Sequence, residues 1–374
     1  MKTQLKKVPF FDYPRLWLDQ REELLGIIDE VSGKGGFIMQ KELSDFEAEL
    51  SGYVNSKFSI GVANATDAME IFLQAIDLKK GDEIIISSHT MLATASAIIA
   101  NGGIPVPVDI GADNLIDPDA IRDQINKNTV GIMPTQLNGR TCNMDEILSI
   151  AENNSLFVAE DAAQALGSKF KGKSAGTFGI ASCISFFPAK VLGCLGDAGA
   201  IITSDKEIYE KSFQFHDHGR DLNGEVKSWG RNSRLDNLQA AILSHKLESY
   251  DQAILRRREV AEIYQSELQD MEQLQLPPGP VLSGDHFDIY QNYELQADLR
   301  DQLQEFLNNN QIGTLIQWGG KAVHQWDGLG FNAKLPKVEE FFKRCIMLPM
   351  NTFISNDDAY YVCAKIKEFY QQLS

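Results

Sequence analysis

The 374-residue sequence predicts an α/β protein with two domains, a large one that carries a mostly parallel central sheet and a smaller C-terminal α+β domain. Between about residues 57 and 205, short apolar segments alternate with helix-like segments, as in chains that wind a parallel sheet. The apolar segments are rich in Ile, Val and Phe and lack polar alternation, which indicates strands covered on both faces. The pattern changes after residue 235, and this change predicts the second domain.

The strands and helices of the large domain follow one another along the chain. Seven segments have the composition of buried strands: Lys57–Val62, Glu83–Ser87, Pro105–Asp109, Val130–Thr135, Leu156–Asp161, Ser182–Phe186 and Ala200–Thr203. The spacing of apolar residues predicts helices between them at Asp67–Leu78, Leu92–Ala100, Pro118–Gln124 and Asp145–Asn153.

The smaller domain begins within a long helical pattern. Apolar residues recur at helical spacing through Asp236–Tyr264, and the run Pro277-Pro278-Gly279-Pro280 then interrupts regular structure. One strand and two helices are predicted beyond it, at Tyr290–Gln296, Arg300–Asn310 and Asp357–Gln371. We place the boundary inside the long helix, which divides the chain into domains 1–250 and 251–374.

Charge and composition exclude several classes of function. The chain has 35 Lys and Arg against 52 Asp and Glu, a net charge of −17, which disfavours binding to nucleic acid or to an anionic membrane. No apolar run reaches the ~18 residues of a membrane-spanning helix. The five cysteines are scattered without a zinc-like spacing, so we expect no metal site and reduced thiols in a cytoplasmic protein.

The first candidate site follows the first predicted strand. Small residues and Thr66 lead from this strand into a helix, in the sequence Val62-Ala63-Asn64-Ala65-Thr66-Asp67-Ala68. The free N–H groups at a helix start bind anions, and a threonine hydroxyl adds a donor, so this segment suits a phosphate. The alternative is an ordinary helix cap. Neither GxxxxGK[ST] nor GxGxxG occurs, which argues against a P-loop or a dinucleotide fold.

The second candidate is a pair of carboxylates, Glu160 and Asp161, at the end of a predicted buried strand. Ligands of open α/β sheets bind beyond the carboxyl ends of the strands, so a carboxylate at this position faces a ligand or caps a helix. The sequence alone leaves both interpretations open.

The third candidate is Lys190, which follows a strand in an apolar, glycine-rich stretch. Desolvation lowers the pKa of a lysine and makes its amine a nucleophile able to form a Schiff base. The alternative is a surface lysine whose stem alone is covered. Considered together, a phosphate-binding helix start, Asp161 and Lys190 are the parts that pyridoxal phosphate requires.

At this point the sequence resembles the DegT/StrS-type sugar aminotransferases, which depend on pyridoxal phosphate and have fold type I. The likeness covers nearly the whole chain and rests on the order and spacing of many short motifs. These are Gly36-Phe37-Ile38, Phe46-Glu47, Ala65-Thr66-Asp67-Ala68, Gly81-Asp82-Glu83, Glu160-Asp161-Ala162-Ala163-Gln164, Ser185-Phe186, Lys190, Asn232-Ser233-Arg234, Leu238-Gln239-Ala240-Ala241 and Pro349.

The resemblance implies a role for each matching residue. Lys190 and Asp161 are the expected catalytic residues: the lysine would hold the cofactor covalently and shuttle a proton, and the carboxylate would pair with the ring nitrogen. Gln164 would contact the side of the ring that carries the 3′-oxygen. The phosphate would be held by Ala65, Thr66 and Ser185.

The remaining expected contacts concern the face of the ring, a neighbouring subunit and the substrate. Relatives place an aromatic residue over the ring where this chain has Met91, whose thioether packs on a ring face without aromatic stacking. Asn232 would reach the cofactor phosphate of a neighbouring subunit, which implies a homodimer. Arg234 and His324 lie in segments that line the substrate site of relatives, against the alternatives of a surface ion pair and a loop histidine. Trp318 belongs to the core or to the sugar pocket.

The implied activity is transamination of a sugar. An amino acid, which we expect to be glutamate, would transfer its amine through the cofactor to a nucleoside-diphosphate keto sugar. The segment from Ser185 to Lys190 with Gly196-Asp197 is similar to enzymes that act on 3-keto sugars. The alternatives are a 4-keto sugar, another ketone such as a cyclitol or an unlinked sugar phosphate, and a non-catalytic regulator that binds the cofactor.

Overall fold

The structure, a computed structural model, describes residues 6–281 and 284–373. Its helices in chain order are α1 (Tyr13–Lys34), α2 (Lys41–Val54), α3 (Ala65–Ala75), α4 (Leu92–Ala100), α5 (Pro118–Gln124), α6 (Met144–Asn153), α7 (Lys206–His216), α8 (Asn237–Leu247), α9 (Tyr250–Leu268), α10 (Arg300–Asn309), α11 (Pro336–Arg344) and α12 (Asn356–Gln371). Its strands are β1 (Phe58–Val62), β2 (Glu83–Ser87), β3 (Ile104–Val108), β4 (Thr129–Met133), β5 (Phe157–Val158), β6 (Glu160–Asp161), β7 (Lys169–Phe170), β8 (Lys173–Ser174), β9 (Ser182–Ser185), β10 (Gly199–Thr203), β11 (Leu274–Gln275), β12 (His286–Phe287), β13 (Tyr293–Ala297) and β14 (Cys345–Leu348).

Two groups of four strands form the central sheet. The first has the order β3-β2-β4-β5 and is parallel throughout. In the second, ordered β1-β10-β9-β6, β9 and β6 are parallel and β10 is antiparallel to both its neighbours. A parallel bridge between Thr135 and Asp161 joins the two groups. The prediction of an α/β fold with a mostly parallel sheet is confirmed, and β5 and β6 are the predicted strand Leu156–Asp161, interrupted at Ala159.

Helix α3 is fixed against the sheet by its apolar face and by a close approach at its start. Its Ile71 and Phe72 are completely buried, and burial of each stabilises the fold by about 1.5–3 kcal/mol. The side chain of Asn64 accepts the Asp67 N–H and begins the helix. A Cβ atom at Gly199 of β10 would lie 2.6 Å from the Ala65 nitrogen, so only glycine lets the strand pass this close.

The prediction of one long helix over Asp236–Tyr264 is wrong, because two helices occupy it. Helix α8 ends at Leu247 and α9 begins at Tyr250, with Ser249 between them in a non-helical conformation (φ −108°, ψ 9°). Apolar spacing continues across this break, so the periodicity does not reveal it. Among the described residues, four α-helices and five strands lie outside the predicted segments, namely α1, α2, α7, α11, β7, β8, β11, β12 and β14.

The C-terminal part of the chain forms its own core. Strands β11, β13 and β14 make an antiparallel sheet, and the core that includes it takes residues from α9, α10 and α12. Tyr250 and Ile254 of α9 pack with α2 and β9, whereas Tyr264 packs in the C-terminal core. Val8 also belongs to the C-terminal core, so a residue near the beginning of the chain packs against the C-terminal part. The boundary between 1–250 and 251–374 stays a prediction, and residues 1–5, 282–283 and 374 of these domains lie outside the described residues.

Two further properties concern the whole described chain. Across residues 6–281 and 284–373, no helix combines the length and the apolar character needed to cross a bilayer. The five cysteines are free and buried.

Candidate active site

Seven of the predicted site residues line a single cavity of about 730 Å³. The cavity lies where α3 and α4 begin and where β6 and β9 end. The seven residues are Ala65, Thr66, Met91, Asp161, Gln164, Ser185 and Lys190. Folding therefore brings together side chains that come from five separate stretches of the sequence.

Asp161 is a buried carboxylate that is held by hydroxyl groups. It is 2% exposed, and its Oδ2 accepts a hydrogen bond of 2.6 Å from the Thr94 hydroxyl. The Thr90 hydroxyl lies 2.8 Å from that of Thr94 and 2.7 Å from that of Thr135, so three hydroxyls form a chain behind the carboxylate. The Ala163 N–H donates to Oδ1 at 3.2 Å. This arrangement fixes the carboxylate toward the cavity, where a protonated ring nitrogen fits it.

Its neighbour Glu160 points to the opposite side of the strand, as alternation along a strand requires. The carboxylate of Glu160 accepts the backbone N–H groups of Gly176, Phe178 and Gly179 at 2.8, 2.6 and 2.9 Å, and the Gln136 amide at 2.7 Å. Burial raises the pKa of Glu160, and these hydrogen bonds oppose that shift. Glu160 therefore anchors a loop behind the sheet, and only Asp161 of the pair lines the cavity.

Lys190 follows β9 in a turn in which its N–H donates to the Phe187 carbonyl at 2.8 Å. Its side chain lines the cavity. Burial lowers the pKa of Lys190, and the negative charge of Asp161 opposes this shift. A lowered pKa favours the neutral amine, which is the nucleophilic form.

The start of α3 supplies the anion-binding end of the cavity. The first turn of a helix leaves N–H groups without intrahelical partners, and Asn64 engages the one on Asp67. Ala65 and Thr66 therefore present N–H groups and a hydroxyl, and Ser185 lies at the end of β9 on the same cavity. A phosphate fits this set because the helix dipole and the donors both favour an anion.

Gln164 is oriented by its oxygen. Its Oε1 accepts the backbone N–H of Asn138 at 2.9 Å, so its NH₂ group remains to donate to a ligand in the cavity. With a carboxylate for the ring nitrogen, a lysine for the aldehyde and an anion site for the phosphate, these residues fit pyridoxal phosphate.

Met91 precedes α4 at the mouth of the cavity and is 48% exposed. Trp318, for which the sequence left two interpretations open, also lines the cavity, as do Phe11 and Phe187. Phe11 was outside the predicted set because no chain-local pattern connects it with the strands. These aromatic groups are available to contact a sugar or the cofactor ring.

The other three predicted residues do not line the cavity. Arg234 forms an ion pair with Asp217, 3.2 Å from nitrogen to oxygen. The ring of His324 lies between the Ser88 hydroxyl at 2.7 Å and the Glu339 carboxylate at 3.2 Å, and the residue is 7% exposed. Both side chains thus have partners within the chain, and their predicted contacts with a substrate stay predictions. Asn232 forms a backbone bridge with Asp217, and its predicted contact with a neighbouring subunit stays a prediction.

Comparison with known proteins gives the same picture over nearly the whole chain. The model of the DegT/DnrJ/EryC1/StrS aminotransferase family matches residues 19–367. The pleiotropic regulatory protein of Geobacillus stearothermophilus is 36% identical over 98% of this chain and 100% of its own length. The dTDP-3-amino-3,4,6-trideoxy-alpha-D-glucose transaminase of Streptomyces venezuelae is 30% identical over 100% of this chain and 98% of its own length. The 3-oxo-glucose-6-phosphate:glutamate aminotransferase of Bacillus subtilis is 36% identical over 81% of this chain and 70% of its own length.

Solved structures share the fold. DesV from S. venezuelae, in complex with a ketimine intermediate, superposes with a TM-score of 0.92 at 31% identity, covering 97% of this chain and 98% of that one. NtdA from Bacillus subtilis, with bound cofactor PMP, has a TM-score of 0.89 at 29% identity. The superposition covers 99% of this chain and 86% of that one. The fold type I architecture expected from the resemblance is thus shown.

Proposed function

Since the chain belongs to the DegT/DnrJ/EryC1/StrS aminotransferase family and is a sugar aminotransferase dependent on pyridoxal phosphate, we propose that it transfers the amino group of glutamate to C3 of a nucleoside-diphosphate keto sugar. The observation that carries this proposal is one cavity lined by Lys190, Asp161 and the start of α3.

The proposed roles follow from the contacts. Lys190 holds the cofactor and, once released, moves a proton to and from the substrate carbon. Asp161 keeps the ring nitrogen protonated, and Ala65, Thr66 and Ser185 hold the phosphate. When bound, pyridoxal phosphate supplies an aldehyde that captures amines and a ring that withdraws electrons from the neighbouring carbon.

The substrate class is supported by the relatives and by composition near the lysine. The names of two relatives describe 3-amino or 3-oxo sugars, and one of these names includes glutamate as donor. A nucleotide-linked sugar is our choice over a sugar phosphate because the segment from Ser185 to Asp197 is similar to that of enzymes for nucleotide-linked 3-keto sugars. We also propose a homodimer, in which Asn232 of each subunit serves the neighbouring site, and a cytoplasmic location.

The proposal is tested with a panel of acceptors. The holoenzyme, converted by glutamate to its aminated form, is mixed with 3-keto and 4-keto nucleotide sugars and with a 3-keto sugar phosphate. We expect a kcat/KM at least about 100-fold higher for a 3-keto nucleotide sugar, because a site built for one hydrogen-bonding pattern rejects the misplaced carbonyl. Equal or better turnover of the 4-keto sugar or of the sugar phosphate would replace our substrate assignment by that one.

One relative is named as a regulatory protein, so a non-catalytic role is the second candidate. Glutamate alone separates the two roles. An aminotransferase loses the absorbance of its lysine-bound cofactor when glutamate is added and releases one 2-oxo acid per site. A protein that binds the cofactor but shows neither change would be a regulator.

A further inference from the structure

The cofactor cavity is supported from behind by a part of the chain that sequence patterns did not connect with it. We call residues 288–294 the crossing segment, because they run from β12, which pairs with β7 in the first domain, into β13 of the C-terminal sheet. Four of its side chains make hydrogen bonds with residues of the first domain: Asp288 accepts from Arg140, and those of Gln291, Asn292 and Glu294 bond closer to the cavity.

Gln291 binds the main chain on both sides of Lys190. Its Oε1 accepts the Val191 N–H at 2.9 Å, and its Nε2 donates to the Ala189 carbonyl at 2.8 Å. Gln291 is 6% exposed, so water competes little for these two bonds. One amide therefore sets the position of the main chain from which the lysine side chain extends.

Asn292 and Glu294 act on Gln164 through Asn138. The backbone N–H of Asn138 orients the Gln164 oxygen at 2.9 Å. Asn138 has a left-handed backbone (φ 55°), a conformation that asparagine adopts more readily than most residues that carry a Cβ atom. Its side chain accepts from Asn292 Nδ2 at 2.8 Å and donates to Glu294 Oε2 at 2.6 Å. Asn292 Nδ2 also lies 3.5 Å from Gln164 Oε1. The two bonds to its side chain hold Asn138 in the conformation that presents its N–H to Gln164.

The crossing segment is itself held firmly. The guanidinium of Arg257 donates to the carbonyls of Tyr290 and Gln291, both at 3.1 Å. Arg257 is 7% exposed, and burial lowers its pKa to about 10. A Cβ atom at Gly139, which has φ 86°, would lie 2.6 Å from the Gln291 nitrogen, so the turn that carries Asn138 packs directly on the segment. The crossing segment is therefore a rigid support.

Glu294 has a second group of neighbours. It is 3% exposed, and its Oε2 lies 3.4 Å from His89 Nε2. The other ring nitrogen of His89 lies 2.9 Å from the Asn114 carbonyl oxygen and must donate to it. Once its amide is oriented to satisfy its neighbours, Gln317 donates to both oxygens of Glu294 at 3.0 Å. The carboxylate of Glu294 thus accepts hydrogen bonds from Gln317 and from the Asn138 side chain, which keep it in place beside Asn138.

We propose that the crossing segment positions the cofactor contacts: Gln291 sets Lys190, whereas Asn292 and Glu294 set Gln164 through Asn138. None of the three lines the cavity, so they are positioning residues and not catalytic residues. The inference rests on the proposed function, because it concerns the cofactor that Lys190 and Gln164 hold.

The contacts that position Lys190 and those that position Gln164 predict different losses of affinity for the cofactor. Lys190 bonds covalently to the aldehyde form of the cofactor and not to the amine form, whereas Gln164 contacts the ring of both. Gln291→Met should therefore raise the Kd of pyridoxal phosphate about tenfold, the effect of losing a hydrogen bond or two, and leave that of pyridoxamine phosphate within about twofold. Asn292→Ala should raise both constants. The constants are measured by fluorescence titration of apoenzyme without any sugar.

Gln296→Met is the matched control. Gln296 is a buried amide of the same strand region, 8% exposed, and it binds Gln275 of β11 instead of the cavity wall. It should change neither constant. Gln291→Asn, whose amide is too short to span Ala189 and Val191, replaces Gln291→Met if that variant does not fold, and it should show the same selective loss.

The outcomes distinguish this inference from the proposed function. If wild-type protein does not bind pyridoxal phosphate, the proposed function is wrong. If wild type binds it but Gln291→Met weakens both cofactor forms equally, or neither, the positioning role of Gln291 is wrong and the proposed function is untouched. Selective weakening of the aldehyde form, with Gln296→Met unchanged, supports the inference because general destabilisation would affect both forms.

Discussion

The strand-end wall of the cofactor cavity and the crossing segment behind the cavity are built in different ways. The strand-end wall consists of Ala65, Thr66, Asp161 and Lys190, each of which ends a strand of the central sheet, lies in the loop after one, or belongs to the first turn of the next helix. The crossing segment contributes amides and a carboxylate whose partners lie far away in sequence, 102 residues in the case of Gln291 and Ala189. The strand-end wall supplies the charges and the nucleophile, and the crossing segment sets the positions of Lys190 and Gln164. Residues that take part in the chemistry thus lie at the ends of predicted strands, whereas residues that position them have partners far away in the sequence.

The largest effect is expected on the strand-end wall, at Lys190. Lys190→Ala removes the amine that bonds to the cofactor and moves the proton, so turnover should fall by at least about 10³-fold. Borohydride reduction of the holoenzyme, followed by mass spectrometry, should attach the cofactor to wild type and not to the variant. Lys169→Ala, an exposed lysine of β7, is the control and should retain full labelling and turnover. Labelling at another lysine in wild type would contradict the assignment.

The neighbouring carboxylates separate catalysis from support. Asp161→Asn should lower kcat by about 10²–10³-fold with little loss of stability, because the ring nitrogen loses its anionic partner. Glu160→Gln should keep kcat within a few-fold but lower the free energy of unfolding by about 1–3 kcal/mol, because an amide oxygen replaces only part of the carboxylate that accepts Gly176, Phe178 and Gly179. Steady-state kinetics and urea denaturation measure the two effects, and a reversed pattern would show that the roles are exchanged.

A pH profile tests the charge balance inside the strand-end wall. Covalent capture of the cofactor by apoenzyme needs neutral Lys190, so its rate should rise with pH and level off above the pKa of the lysine. Burial lowers this pKa and the charge of Asp161 raises it. Asp161→Asn removes the raising influence, so the midpoint should move to lower pH. Asp197 lines the same cavity but does not contribute to the pKa shift of Lys190, so Asp197→Asn should leave the midpoint in place. A move to higher pH in Asp161→Asn would exclude the proposed coupling.

The sequence predicted the strand-end wall because each of its residues stands at a junction of two strong local patterns. Apolar strands ending at Asp161 and before Lys190 locate the carboxyl edge of the sheet, and resemblance to a family assigns the roles. Gln291 and Asn138 could not be predicted in this way, since an amide in a loop has no periodicity and its partner depends on tertiary packing. Likewise, the break at Ser249 is hidden because apolar spacing continues from α8 into α9.

The smallest expected effect concerns Met91, which stands where relatives place an aromatic residue. Met91 lines the cavity and is 48% exposed, so a larger flat side chain has room at this position. Met91→Phe should strengthen binding of both cofactor forms by about two- to tenfold, the range of an aromatic stacking contact, without changing the preference between them. Met91→Leu, which keeps the volume but lacks both the ring and the thioether, is the control and should not strengthen binding. A gain of affinity in Met91→Leu would attribute the effect to shape instead of stacking. Weaker binding in Met91→Phe would mean that Trp318 or Phe187 already covers the ring.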